Sequence, residues 1–148
     1  MKKWFGLVAL LFLLSGCSLI EGVNNTLEYV NEATDYINEA SQFAGEVPAL
    51  AEQAVSDPAA REQLVQQLEE MKEEIGEFNQ LEPPGIAKDI HQKIEEYNTT
   101  IQTTIDQSLE KINEGQYKLE ELLSNSPLIQ TIENLQNTLN QLEQLGNG

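Results

Sequence analysis

Apolar residues recur three or four positions apart through almost the whole chain from residue 19 onward, and this spacing is typical of amphipathic helices. In the first segment the stripe consists of Val23, Leu27, Val30, Thr34, Ile37, Ser41 and Ala44. Tyr29, Tyr36 and Phe43 repeat every seven residues beside that stripe and widen the face that we expect to be buried. The pattern predicts a first helix over about residues 20–44, with its aromatic side chains in the core.

Two breaks separate the segments that follow. Glu46-Val47-Pro48 interrupts the first pattern, and the Ala-rich segment 48–55 can be helix or loop. Asp57 and Pro58 then form a start signal, because Asp caps free amides and Pro suits the first helical position. A second helix is predicted over about 58–80.

Pro83-Pro84-Gly85 is the clearest turn in the chain, because two prolines forbid helix continuation. A third helix is predicted over about 86–123, with Gly115 as a weak point, and a fourth over about 127–145 after Ser124-Asn125-Ser126-Pro127. The predicted fold is all-α: an up-and-down bundle of three to four amphipathic helices, forming a single domain over residues 17–148.

The N-terminus carries a targeting signal. Lys2 and Lys3 precede an apolar run, Trp4–Leu14, that has the length of a secretory signal. Leu14-Ser15-Gly16-Cys17 then resembles a lipobox, which implies a signal peptide over 1–16, cleavage between Gly16 and Cys17, and a diacylglyceryl group on Cys17. The alternative is an uncleaved anchor helix from Trp4 to Ile20, but Cys17 is the chain's single cysteine and has no partner for a disulfide.

Two acyl chains on Cys17 are enough for stable membrane anchoring, whereas one chain is marginal. We therefore expect the protein on the extracytoplasmic face of the cell membrane. Helical spacing starts at Leu19 or Ile20, almost at the anchor, so the domain should stand close to the bilayer.

Charge narrows the range of partners. The chain has 8 Lys/Arg and 25 Asp/Glu, and removing residues 1–16 takes away two lysines and no acid, which leaves a net charge of −19. Such a surface excludes nucleic acid, because nothing basic is available to displace phosphate counterions. Cationic peptides, basic protein surfaces and metal ions remain possible partners, and the charge can also serve solubility alone.

The composition offers little for catalysis. His91 is the only histidine, and the residue three positions before it is Lys88, so the Glu-x-x-His metal motif of bundles is absent. We predict no catalytic residues, no metal site and no cofactor, and we expect His91 to be an exposed residue on the flank of a helix. Acid pairs such as Glu69-Glu70 and Glu73-Glu74 are most simply solvated helix faces.

One local feature is distinctive enough to be a candidate binding site. It comprises Pro83, Pro84, Gly85 and His91, and the alternative is a simple helix reversal.

The lipobox, the acidic helical body and the stretch PPGIAKDIHQKIEEYN together resemble a family of small uncharacterised helical lipoproteins of Bacillus and its relatives. The resemblance implies a Gram-positive cell surface and an all-helical fold, and it carries no activity. The leading hypothesis is a non-enzymatic interaction module that binds another envelope protein. The alternative is a binding protein for a cationic small ligand or metal ion, and an envelope hydrolase is a third, weaker possibility.

Overall fold

The computed structural model describes residues 18–119, 123–124 and 127–146. Four α-helices account for most of them: α1 (Ser18–Ala54), α2 (Pro58–Phe78), α3 (Lys88–Asn113) and α4 (Pro127–Gly146), and a 3-10 turn, Gly85–Ala87, leads into α3. The predicted all-α fold is confirmed. The predicted signal peptide 1–16 and the predicted lipidation site Cys17 lie outside the described residues.

The helices form an up-and-down bundle in which α1 and α3 each pack against α2 and α4. Hydrogen bonds across the core join Tyr29 to His91 and Tyr36 to Asn98, so both pairs are separated by 62 residues along the chain. Because the two pairs advance in the same direction, α1 and α3 run parallel across the bundle. None of the helices in the described part of the chain is long and apolar enough to cross a membrane.

The core is formed by one face of each helix. In α1 the predicted aromatic row is confirmed, since Tyr29, Tyr36 and Phe43 are all buried. The predicted stripe beside it is confirmed in part: Val30 and Ile37 are buried, Thr34, Ser41 and Ala44 are half-buried, and Leu27 is 42% exposed. The side chain of Val23 lies outside the described part of the chain. In α2 the buried side chains recur three or four positions apart, as expected for an amphipathic helix: Leu64, Leu68, Met71, Ile75 and Phe78.

The predicted end of the first helix near residue 44 is wrong. The helix α1 continues through Pro48 to Ala54, so nearly all of the ambiguous segment 48–55 is helical. A proline inside a helix removes one backbone hydrogen bond and costs about 3 kcal/mol. Burial of Val47, Ala51 and Ala54 on either side of Pro48 offsets this cost, because these side chains lie in the core only if the helix continues.

The helix α2 begins where the sequence predicts. Pro58 is its first residue, and the Oδ1 atom of Asp57 accepts a hydrogen bond from the Ala59 amide at 2.9 Å. The helix ends at Phe78 instead of residue 80. Arg61 ties this start to the end of α1, because its guanidinium donates to the Ala54 and Val55 carbonyl oxygens at 2.6 and 3.0 Å.

The predicted continuation of the third helix to residue 123 is also wrong, since α3 ends at Asn113. Gly115 has φ +75°, a left-handed conformation that ends helices, and the Gln116 amide donates back to the Lys111 carbonyl oxygen at 2.8 Å. Residues 116–119 have no regular structure, although Leu119 and Leu123 are still buried. The fourth helix, Pro127–Gly146, agrees with the predicted 127–145 to within one residue.

Candidate functional site

The structure separates the residues of the predicted turn site. Pro83 and Pro84 are half-buried and Gly85 is exposed at the α2–α3 connection, whereas His91 is only 5% exposed. The expectation of an exposed His91 is wrong. The buried face of α3 is centred on His91, Ile94 and Asn98, so the histidine faces the core and does not join the turn at the surface.

His91 has its ring enclosed by α1 and α2. Its Nδ1 atom lies 3.1 Å from the Tyr29 hydroxyl, and its ring stacks on Phe78 with a centroid distance of 4.9 Å. Burial lowers the pKa of His91, and Glu95, 3.7 Å from Nε2, opposes this effect. In the neutral ring with its proton on Nε2, Tyr29 donates and Nδ1 accepts.

A second polar group lies one heptad further along α1 and α3. The Tyr36 hydroxyl donates to Oδ1 of Asn98, which is fully buried, and Nδ2 of Asn98 donates to Oδ1 of Asn79 at 2.8 Å. Phe78 lies between the two groups, because its ring also stacks on Tyr36 at 4.6 Å. We call Tyr29, Tyr36, Asn79, His91 and Asn98 the core polar cluster.

The chemistry of the core polar cluster is that of a structural network. Burial is the main cause that raises the pKa of both Tyr29 and Tyr36, so the two hydroxyls stay protonated and act as hydrogen-bond donors. Each donor meets a buried acceptor, which fixes the register of α1 against α3.

A groove between α1 and α2 is the most distinctive surface feature. We call it the α1–α2 groove, and its first section has a volume of about 280 Å³. The residues that line this section are Glu39, Gln42, Phe43, Glu46, Gln67, Glu70, Met71 and Glu74. Phe43 and Met71 are buried and form an apolar floor. The groove continues past Glu46, Gln67 and Glu70 towards Gln53 and Gln63.

Carboxylates are crowded in this groove. Partial burial raises the pKa of Glu74 to about 7, together with the hydrogen bond that protonated Glu74 donates to the Glu39 carboxylate and the negative charge of Glu39. The two oxygens of Glu46 accept from Gln42 at 2.9 Å and from Gln67 at 3.1 Å. The Oε1 atom of Gln67 is buried without a hydrogen-bond partner, so the groove retains an unused acceptor.

Sequence reasoning missed the α1–α2 groove. It treated Glu73-Glu74 as a solvated pair, but only Glu73 is exposed, while Glu74 is half-buried beside α1. Within the described residues no group of three or more His, Cys, Asp or Glu side chains is placed to hold a metal ion.

An acidic all-α bundle that follows a lipobox defines the class of protein: a small helical lipoprotein. A family model described as a family of unknown function, DUF6376, matches residues 29–145, and the chain belongs to this family. The chain is 38% identical over 131 residues to the uncharacterised lipoprotein YybP of Bacillus subtilis (strain 168), an alignment that covers 88% of each chain. No solved structure matches this chain. The resemblance to small lipoproteins of Bacillus is therefore confirmed.

Proposed function

We propose that this lipoprotein is a non-enzymatic interaction module on the outer face of a Gram-positive cell membrane. In this proposal the α1–α2 groove receives a basic segment of another envelope protein. The observation that carries the proposal is the groove itself, which combines an apolar floor with carboxylates on both walls.

The electrostatics of the groove favour a cationic occupant. Glu39 and Glu74 lie close enough that Glu74 holds its proton up to a pH of about 7. A Lys or Arg side chain placed between these carboxylates would replace the proton and relieve their repulsion, through charge-assisted hydrogen bonds that are about twice as strong as neutral ones. The floor of Phe43 and Met71 suits an apolar residue next to that cation.

The inventory of titratable groups supports a role without catalysis. His91 is buried with both ring nitrogens facing protein groups, and the buried tyrosine hydroxyls remain protonated. In the groove, the side chains that donate hydrogen bonds to Glu46 are the amides of Gln42 and Gln67. These contacts do not pair a nucleophile with a general base.

The proposal is tested by crosslinking in living cells with the full lipidated chain at native level. A photo-crosslinking residue replaces Gln42 in the groove, and a matched control replaces the exposed Gln107 on α3. We expect one recurrent protein partner from position 42 and none shared with position 107. Crosslinking is then repeated in E39Q/E70Q, and in E96Q/E110Q, which removes the same charge from exposed positions on α3.

Loss of the partner in E39Q/E70Q, with retention in E96Q/E110Q, is the expected result. Equal crosslinking in both double variants would contradict the groove as the interface. If no protein is captured and spermidine or calcium instead stabilises the wild-type chain saturably but not E39Q/E70Q, the groove serves a small cation, and the alternative function replaces the proposed one.

A further inference from the structure

The connection between α2 and α3 lies at the end of the bundle where the lipid anchor attaches. Tyr29 is level with His91 along the bundle axis, and Tyr36 is level with Asn98. Because Ile86 comes five residues before His91, it is level with the residue five before Tyr29, which lies about six positions after Ser18 in α1. At about 1.5 Å per residue, Ile86 stands about 9 Å along the bundle axis from the first residue of α1. Ser18 directly follows Cys17, so no linker separates the bundle from the acylated residue.

This connection, residues 81–87, is called the α2–α3 tip here. Its seven residues, LEPPGIA, contain one charged side chain, Glu82, in a chain whose formal net charge is −17. Ile86 is 63% exposed and is the most exposed large apolar side chain among the described residues. A single exposed apolar residue needs no explanation by itself, but this one lies beside a site that the acyl chains hold at a bilayer.

We infer that the α2–α3 tip touches the membrane, with Ile86 inserted into the interface between lipid headgroups and acyl chains as a second contact beside Cys17. Interfacial segments bury apolar side chains about 5–10 Å into this zone, and a tilt of the bundle towards α2 and α3 brings Ile86 into it. Because Glu82 is its single acid, the tip is repelled by anionic lipid less than the acidic helix faces are. The inference does not depend on the α1–α2 groove.

The chain offers a clean reporter for this contact. Its only tryptophan, Trp4, lies in the signal segment, so the mature protein contains none. I86W therefore places a single fluorophore in the tip. V55W is the matched control, because Val55 is 43% exposed at the α1–α2 connection, at the opposite end of the bundle.

Both variants are purified as lipidated proteins and reconstituted into vesicles of phosphatidylcholine and phosphatidylglycerol, and flotation confirms that each one is anchored. We expect the emission of I86W to shift to the blue and to be quenched by brominated lipid, with neither change for V55W. Circular dichroism checks that both variants are folded. Hydrogen exchange of residues 81–88 in the unsubstituted lipidated chain is the second measurement, and we expect slower exchange on vesicles than in detergent.

Anchored I86W that shows the same emission and quenching as V55W, with unchanged exchange in the tip, would overturn the inference. That result would leave both the lipoprotein class and the proposed groove interaction unaffected. Blue shift and quenching at both positions would also overturn it, because the bundle would then lie flat on the bilayer instead of contacting it through the tip.

Discussion

The two tyrosines of α1 meet polar partners on α3 with the same spacing. Tyr29 and Tyr36 are seven residues apart, and so are His91 and Asn98. Sequence periodicity predicted that both tyrosines lie in the core, but it predicted an exposed His91 and made no prediction for Asn98. The shared seven-residue spacing of the two pairs is the signal that could have found the core polar cluster.

Removing one hydroxyl from this cluster should be costly. In Y36F, Oδ1 of the fully buried Asn98 loses its donor, and a buried polar group left unsatisfied costs about 1–3 kcal/mol. We expect the free energy of unfolding in urea to fall by that amount. The control is Y97F, since Tyr97 is only half-buried at the edge of the core, and a change within about 0.5 kcal/mol is expected there. Equal losses in the two variants would show that the Tyr36 hydroxyl is not special.

Glu74 should make stability depend on pH. Its pKa rises from 4.5 to about 7 on folding, so its contribution is full below pH 4.5 and is lost as the pH rises through 7. Replacement by Gln removes the repulsion from Glu39, and E74Q should therefore be more stable than the parent at pH 8, by up to about 1 kcal/mol because the site is partly solvated. Near pH 4.5 this gain should disappear.

Urea unfolding at the two pH values measures the effect of E74Q, and E96Q is the control because Glu96 is exposed on α3 and is not among the acids whose charges raise the pKa of Glu74. The same pH dependence in both variants would refute the assignment to Glu74. His91 makes the free energy of unfolding depend on pH in the opposite direction to Glu74, and it does so in every variant. Its pKa is lowered on folding, so its contribution is full above 6.5 and is lost as the pH falls.

At the scale of helices, the start of each helix was more predictable than its end. The Asp57-Pro58 start signal is local and correct, because one side chain and one ring determine it. The predictions at Pro48 and Gly115 were wrong in opposite directions. The first helix was expected to end before Pro48 but continues through it, whereas the third helix was expected to continue through Gly115 but ends before it. Burial around Pro48 decides the first case and depends on contacts that no local pattern contains.

Replacing Gly115 and Gly76 by alanine should change the stability of the chain in opposite directions. Gly115 has φ +75°, which an L-residue adopts only under strain, so G115A should destabilise the chain by about 1 kcal/mol. Gly76 lies inside α2 with open space where a Cβ would be placed, so G76A should stabilise the chain by about 0.5–1 kcal/mol. Thermal unfolding of both variants checks the opposite signs, and a loss of stability in G76A would mean that α2 is more crowded than described.

The α1–α2 groove shows what helical patterns cannot supply. Each wall follows from one amphipathic helix, but the meeting of Glu39 with Glu74 depends on how far α1 and α2 are rotated towards each other. A pattern identifies the buried face of a helix, and it does not say which residues beside that face will meet their counterparts on a neighbour. The groove could therefore be found only in three dimensions.

For the whole molecule, membrane attachment is expected to depend on one atom, the sulfur of Cys17. In C17A the acyl chains cannot be added, and the described helices include none able to span a bilayer. We expect the variant to appear as a soluble form or as unprocessed precursor in fractionated cells. C17A that is still processed and still sediments with membranes would show that the lipobox does not determine anchoring.

The start of α1 at Ser18, the residue after the predicted lipidation site Cys17, has a consequence for the choice of partner. The 37 residues of α1 span about 55 Å, and measured from Ser18 the groove occupies heights of about 32 to 52 Å between Glu39 and Gln53. Even when the bundle is tilted towards the α2–α3 tip, a helix of this length holds the groove well above the membrane surface. A neighbouring protein whose basic segment lies just above the headgroups cannot reach the groove. A neighbour that carries its basic segment on a domain of similar height can bind the groove without a change of position.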